Sequence, residues 1–356
     1  MSSPPRWSST SSASPRPSGS RAEVPGLDAV PVPAADPDRT AGLPAVATGQ
    51  SVEVRVPATS ANLGPGFDTL GLALSLYDTV RVRTVTAGTT LVRATGEGSA
   101  VLPTDGTHLV ARSLLSTLER AGFAAPGLEL DTTNVIPHGR GLGSSAAAIV
   151  AGVLAGNALL PADRRLDDAH LLQWAAQLEG HPDNVAPALM GSLAISWESG
   201  HAYHSTRVEV HPDIVPVVAV PGSVLSTESA RALLPASVSH HTAAANAGRA
   251  ALLVHALAED PSLLFPATQD SLHQDYRAQA MLPSATLLRG LRAAGFASTI
   301  SGAGPSIMTL AVGTDGAEAA EETLRALLPT LDTPEPWRVL RLTVERSGAK
   351  VGVHQG

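Results

Sequence analysis

Residues 137–148 read PHGRGLGSSAAA. They lie between a strand-like run, LELDTTNVIP (128–137), and a stretch of small apolar residues that continues to Leu160. Gly139, Gly141 and Gly143 alternate, and Ser144 and Ser145 follow before the alanines begin. A chain that turns from strand to helix with so little side chain presents its backbone as a surface. Successive N–H groups of a glycine turn can converge on one point. The helix behind them adds its unpaired first-turn N–H groups and its dipole, so the natural occupant is an anion. The two serines add hydroxyls for a phosphate or for Mg2+, which prefers oxygen ligands. The same letters also fit an ordinary strand-to-helix turn with a serine N-cap, so the stretch alone does not decide.

Composition narrows the choice. The chain has one lysine, Lys350, against many arginines. Walker-type phosphate loops end in GK[ST], and protein kinases need a lysine on a strand. Both are excluded, and any ATP here is handled without a lysine at its phosphates. The GxGxxG spacing of dinucleotide folds is not met, because Gly143 is followed by Ser144, Ser145 and Ala146. The absence of cysteine removes disulfides, thiolate metal sites and cysteine nucleophiles, and it suits a reducing compartment. A formal charge of −8 gives no general attraction to nucleic acid or anionic lipid. The longest apolar run, residues 146–156, is too short to cross a bilayer. The expectation is a cytoplasmic protein without nucleic-acid or membrane partners.

Of the first twenty residues nine are serine and four are proline. Such a segment buries too little apolar surface to offset its ordering entropy, so residues 1–48 are expected to form a disordered tail. From Ser51 onward strand and helix patterns interleave. Alternating runs at 51–58 and 71–85 read as strands, as do 128–137, 193–197, 215–221 and a last strand at 337–344; helical spacing marks 108–121, 144–160, 167–179, 243–258, 284–294 and 316–328. This is an α+β pattern with two lobes, assigned to 49–207 and 208–356.

Five further stretches carry candidate chemistry. SANLGPGFD (60–68) places Asn62 and Asp68 at the ends of a Gly- and Pro-dense turn. EGHPDN (179–184) offers Glu179 for a metal and Asp183 or Asn184 for a substrate hydroxyl. SGAGPS (301–306) is a second glycine turn, with Gly302 and Gly304. TESAR (227–231) and HQDYR (273–277) contain Arg231 and Arg277, and arginine grips carboxylates bidentately. Each has a plainer reading as well: a surface turn, a helix end capped by Gly180, a tight hairpin, or solvated charge. His181, beside a proline, reads as a turn residue.

Together and in this order the stretches resemble the GHMP kinases, a family of small-molecule kinases. The resemblance rests on VRVPATSANLGPGFDTLGLAL (54–74), PHGRGLGSSAA (137–147) and SGAGPS (301–306), and it extends from residue 51 to about 345. Within the family, SANLGPGFD, HPDNVAPALMG (181–191) and LSTESARALLP (225–235) are similar to the subgroup that acts on L-homoserine. The resemblance implies a two-lobed fold, with an N-terminal lobe like the second domain of ribosomal protein S5 and a ferredoxin-like C-terminal lobe. It implies ATP and Mg2+ as cofactors, L-homoserine as the small-molecule substrate in threonine biosynthesis, and a possible homodimer.

It also implies roles by position. Pro137, His138, Gly139, Arg140, Gly141, Leu142, Gly143, Ser144, Ser145, Ala146 and Ala147 form the nucleotide loop, and Ser145 and Glu179 place the metal. Asn62 and Asp68 hold the substrate's amino end, while Arg231 and Arg277 hold its carboxylate. Asp183 or Asn184 touches the reacting hydroxyl, Thr227 lies near the γ-phosphate, and Gly302 and Gly304 shape the site from the other lobe. The rival readings are a shikimate or mevalonate kinase of the same family, or an ATP-binding sensor without transfer activity.

Overall fold

The computed structural model describes residues 42–333 and 335–355. The first sheet begins with the apolar alternation of β1 (Gln50–Ala61), which pairs antiparallel with β2 (Leu70–Thr84). Then come β3 (Thr90–Gly96), α1 (Leu109–Arg120), β4 (Leu128–Asn134) and α2 (Ser144–Leu159). α3 (Asp168–Glu179), α4 (Val185–Met190), β5 (Leu193–Ser199) and β6 (Ala202–Val208) complete the first pass. β3 and β4 are parallel, and β5 joins the other end of β2 before β6.

The small residues of α2 are explained by its packing. A side chain at Gly152 would place Cβ 2.4 Å from Val110 O, and one at Gly156 would come 2.9 Å from Leu114 O. Only glycine lets α1 and α2 come this close. α2 is apolar on nearly every side because it lies between α1, α3 and the sheet.

The second half runs through β7 (Ile214–Pro221), α5 (Thr227–Arg231), α6 (His240–Ala258), α7 (Leu264–Ala267), α8 (Gln274–Arg277) and α9 (Leu282–Ala293). It continues with β8 (Ser298–Ile300), β9 (Ile307–Val312), α10 (Gly313–Leu327), β10 (Trp337–Arg341) and β11 (Lys350–Gln355). The second sheet has the order β10–β7–β9–β8, all antiparallel. With helices between β7 and β8 and between β9 and β10, this is the ferredoxin-like arrangement. β7 is buried on both faces: Val217 and Ala219 pack with Leu287, Leu291 and Leu324, whereas Val218 and Val220 join the main core. The two lobes therefore share a continuous apolar contact through one strand.

Three features depart from the sequence expectation. The part of the expected tail before residue 42 lies outside the described residues, but 42–48 are built into the fold. Val46 is buried and its N–H bonds Ala124 O, while Pro44 O accepts from Ala124 N. The apolar GLPAV there supplies the anchor. Secondly, β10 is not the last strand; β11 returns to the first sheet and pairs antiparallel with β1. A boundary that gives all of 208–356 to the second lobe thus misplaces its final strand, because pairing completes the edge of β1 rather than following chain order. Thirdly, β3 and β6 went unread, because their half-exposed polar residues carry little apolar alternation.

Candidate active site

β4 delivers the chain directly into the glycine loop. Gly139, Gly141 and Gly143 have φ of 66°, 72° and 68°, a left-handed conformation at every second residue. At Gly141 a side chain would place Cβ 2.1 Å from Ser301 O, so glycine is required by space as well as by φ. Gly143, not a serine, is the N-cap of α2, and no side chain caps the helix. The first N–H groups of α2 therefore remain for an anion.

The members of the 137–147 loop separate into four groups. Gly139, Gly141, Gly143, Ser144 and Ser145 line a cavity of about 170 Å3. Pro137, Leu142 and Ala146 are buried behind it. The Arg140 guanidinium is committed to carbonyls, with Nε donating to Pro221 O, Nη1 to His138 O and Nη2 to Gly222 O. It ties the loop to the end of β7 rather than facing a ligand. His138 and Ala147 line a neighbouring, mostly apolar cavity of about 200 Å3 beside α1, and this cavity shares Ser144 and Ser145 with the first.

Three distant stretches meet here. Ser301 Oγ lies 2.6 Å from Gly141 O and 2.8 Å from Ser60 Oγ. Gly302 N–H donates to Ala61 O, and Asn62 Nδ2 donates to Gly302 O at 2.8 Å. The glycine turn of the second lobe is thus wedged between the loop after β1 and the glycine loop after β4. Asn62 Oδ1 accepts the Asp68 N–H at 3.0 Å. Both ends of the Asn62 amide are engaged with protein, so it sets the position of Asp68. Asn62, Leu63 and Asp68 all have positive φ, a cluster of backbone strain at this one loop.

The acidic side of the cavity comes from the end of α3 and the turn into α4. Ser145 Oγ donates to Glu179 Oε1 at 2.5 Å. Burial pushes the Glu179 carboxyl above its ordinary range, only partly offset by that hydrogen bond and by His181. Asp183 is buried, and its Oδ1 lies 2.6 Å from His181 Nδ1. Burial alone would lower His181, but the hydrogen bond and charge of Asp183, with Glu179 and Asp68 beyond, raise it above the usual histidine value. Asn184 Oδ1 accepts from Thr59 Oγ1 at 2.9 Å. Sequence reasoning missed His181, and it missed Thr59, which sits in an unremarkable strand.

The same cavity is lined by a second set of charged groups, Asp68, Arg231 and Arg277. Arg231, on α5, grips Asp68 with two bonds of 2.8 Å. Arg277, on α8, is buried: its Nε donates to Ala230 O at 3.2 Å and its Nη1 lies 3.1 Å from His273 Nδ1. Its Nη2 makes no hydrogen bond to the protein among the described residues. Both cations lie near the Phe67 ring, with guanidinium carbons 5.5 Å (Arg231) and 5.4 Å (Arg277) from its centroid. Thr227, just after the N-cap Ser226 of α5, and Gly302 and Gly304 close the cavity. Asp183, Asn184, Asp68, Arg231 and Arg277 therefore line one space with the glycine loop. Among the described residues no three His, Asp or Glu side chains cluster as a complete metal site.

Comparison with known proteins gives matches over both lobes. Residues 108–192 match the model of the GHMP kinases N terminal domain, and 248–330 match GHMP kinases C terminal. The chain is 52% identical over 302 residues to a homoserine kinase of Streptomyces avermitilis, covering 85% of this chain and 95% of that one. It is 48% identical over 311 residues to a homoserine kinase of Clavibacter michiganensis subsp. michiganensis, covering 87% and 96%. A crystal structure of homoserine kinase from Cytophaga hutchinsonii superposes with a TM-score of 0.75 at 30% identity, covering 85% of this chain and 97% of that one.

Proposed function

The chain belongs to the GHMP kinase family, and from that premise we propose that it transfers the γ-phosphoryl group of ATP to the side-chain hydroxyl of L-homoserine, releasing ADP and O-phospho-L-homoserine. It is an alcohol phosphotransferase, and the product serves threonine biosynthesis. One observation carries the reading beyond the family: an aspartate and two arginines face an uncapped glycine loop across a single small cavity.

Homoserine is a zwitterion with a primary hydroxyl. In the free protein Asp68 and Arg231 neutralise each other. The substrate's ammonium takes Asp68 while its carboxylate takes Arg231 and the free Nη2 of Arg277, so each charge of the substrate meets an opposite one. Asn62 contributes by fixing the Asp68 backbone. The hydroxyl then lies at Asp183 and Asn184. Asp183 Oδ1 is held by His181, while its other oxygen has no protein partner among the described residues. The ATP phosphates lie over residues 139–145 with Thr227 near the γ-phosphate, and the apolar cavity between α1 and α2 takes the base.

Phosphoryl transfer has a loose transition state, so catalysis comes from positioning and charge neutralisation rather than from a strong base. The hydroxyl oxygen attacks the γ-phosphorus in line, ADP departs, and the proton is lost late to phosphate or water. Ser145 and Glu179 fit Mg2+: they are adjacent hard oxygen donors, and burial of the Glu179 carboxyl favours a counter-cation. Bound there, Mg2+ would neutralise phosphate charge. A homodimer and a cytoplasmic location complete the reading; among the described residues no helix is long and apolar enough to cross a membrane.

The test is ADP release from ATP with L-homoserine, mevalonate, shikimate, L-serine or no acceptor. Turnover dependent on L-homoserine, with O-phosphohomoserine formed, is expected. Turnover with mevalonate or shikimate instead reassigns the pocket, and ATP binding without any turnover refutes the activity.

A further inference from the structure

His273 is fully buried and belongs to none of the stretches that form the nucleotide loop. Its two ring nitrogens serve different masters. Nδ1 lies 3.1 Å from Arg277 Nη1, and Nε2 lies 2.8 Å from Gly64 O. An arginine cannot accept a hydrogen bond, so Nδ1 is the acceptor and the proton sits on Nε2, donated to the Gly64 carbonyl. This fixes one neutral tautomer. Burial, the largest influence on this imidazole, likewise favours the neutral form.

The ring is held from several sides. Asp270, whose side chain is 1% exposed, accepts the N–H groups of Leu272, His273 and Gln274 and so fixes the turn that carries the histidine. The Asp270 carboxylate also stands 3.6 Å from Nε2. Phe67 stacks on the imidazole at 5.2 Å between ring centroids. The guanidinium groups of Arg231 and Arg277 both approach the same Phe67 ring. Arg277 has its Nε on Ala230 O, and its Nη1 has only a long 3.5 Å contact to Gly302 O besides the histidine.

We propose that His273 is the positioning residue of the carboxylate site: it holds Arg277 Nη1 so that Nη2 faces the substrate, and it couples that arginine to the Asp68 loop through Gly64. The proposal rests on the kinase reading above. Its consequence is that His273 matters for substrates with a carboxylate and is nearly silent for those without one. Losing a hydrogen bond to a charged group of this kind costs about 10- to 100-fold in binding.

The experiment compares kcat/KM for L-homoserine with that for L-homoserine carboxamide, which keeps the hydroxyl and ammonium but has no carboxylate. His273→Leu is expected to raise KM for homoserine by about 10- to 100-fold, to leave the carboxamide within about 3-fold, and to leave KM for ATP unchanged. His273→Asn keeps an acceptor at the Nδ1 position and retains the preference for the carboxylate. His273→Gln places its amide toward Gly64 and loses it, so this pair tests the proposal even if the leucine variant does not fold. Equal losses for both substrates in the variants overturn the proposal, as does an unchanged preference in both Leu and Gln variants. A wild-type protein that turns over both substrates equally removes the carboxylate site and the proposal with it. A wild-type protein that phosphorylates neither refutes the activity itself.

Discussion

The three alternate glycines share one backbone conformation but have different neighbours, and this gives a graded prediction for alanine at each. In all three, alanine must adopt a left-handed φ, which costs about 1–2 kcal/mol. At Gly139 little is added, because the new Cβ would meet only the Val224 side chain at 3.4 Å. At Gly143 the Cβ would lie 2.0 Å from Thr59 Oγ1. That hydroxyl can rotate away, but it then abandons Asn184 Oδ1, adding about 1 kcal/mol. At Gly141 the obstacle is backbone: Ser301 O at 2.1 Å and Gly304 N at 3.0 Å. Neither can rotate aside, so the turn of the second lobe must retreat, at a further cost of about 1–3 kcal/mol. Equilibrium urea denaturation should therefore rank the variants Gly139→Ala mildest and Gly141→Ala worst. Because Gly141→Ala also moves the loop that cradles phosphate, its kcat/KM for ATP should fall by about 100-fold. Finding Gly141→Ala no worse than Gly139→Ala in both stability and ATP kinetics would refute the argument that close approach, beyond φ, dictates this loop.

Other outcomes follow from the same geometry. Arg231→Ala should raise KM for homoserine by about 10- to 100-fold and leave KM for ATP nearly unchanged; because the Asp68–Arg231 pair is half-exposed, melting should barely move. His108 caps α1 and is driven down by burial, then by the His138 charge. Its folded pKa thus lies below the ordinary value, and the unfolded chain binds the proton first. Stability should fall as pH drops below about 6.5, and His108→Gln should flatten that slope in pH-dependent melting. Deleting residues 1–41 should leave melting and turnover intact, whereas deleting 1–48 removes buried Val46 and should cost about 1–2 kcal/mol; equal melting temperatures for the two truncations would contradict the placement of Val46.

What was readable in the sequence was what a residue type dictates locally. PHGRGLGSS pointed to a backbone-lined anion site because alternate glycines leave little but backbone to present, yet alone it fitted an ordinary strand-to-helix turn as well; α2 was visible from its run of small apolar residues. Arg231 and Arg277 could be singled out because arginine grips carboxylates, and Asp68 because it ends a Gly- and Pro-dense turn, but their joint role toward a zwitterion came only with the family resemblance. Their actual arrangement was not visible. The Asp68–Arg231 pair joins positions in different lobes, and the approach of both guanidinium groups to Phe67 is a matter of packing. Asn62 was expected on the substrate, yet its amide is consumed by Gly302 and Asp68, a competition that only the fold reveals. Arg140 similarly lay in the right motif but turned to backbone carbonyls. β11, KVGVHQ, is too short and glycine-broken to declare itself a strand; it is one because β1 offers an edge.

That last pairing bears on how the protein is made. Val52 pairs with Val353 and Val54 with Val351, so the edge partner of the first strand is about 300 residues away in the chain. At translation speeds of about 5–20 residues per second, β1 waits roughly 15–60 s for this partner. The last strand of the second, ferredoxin-like sheet, ending at Arg341, also precedes β11 in the chain. The lobe that carries the phosphate loop is therefore synthesised first but closed last, and a nascent chain stalled a few residues short exposes the β1 edge to any other strand. A chain that ends before Lys350 keeps the glycine loop and the other residues that line the cavity but leaves the β1 edge unpaired, a template for any other strand.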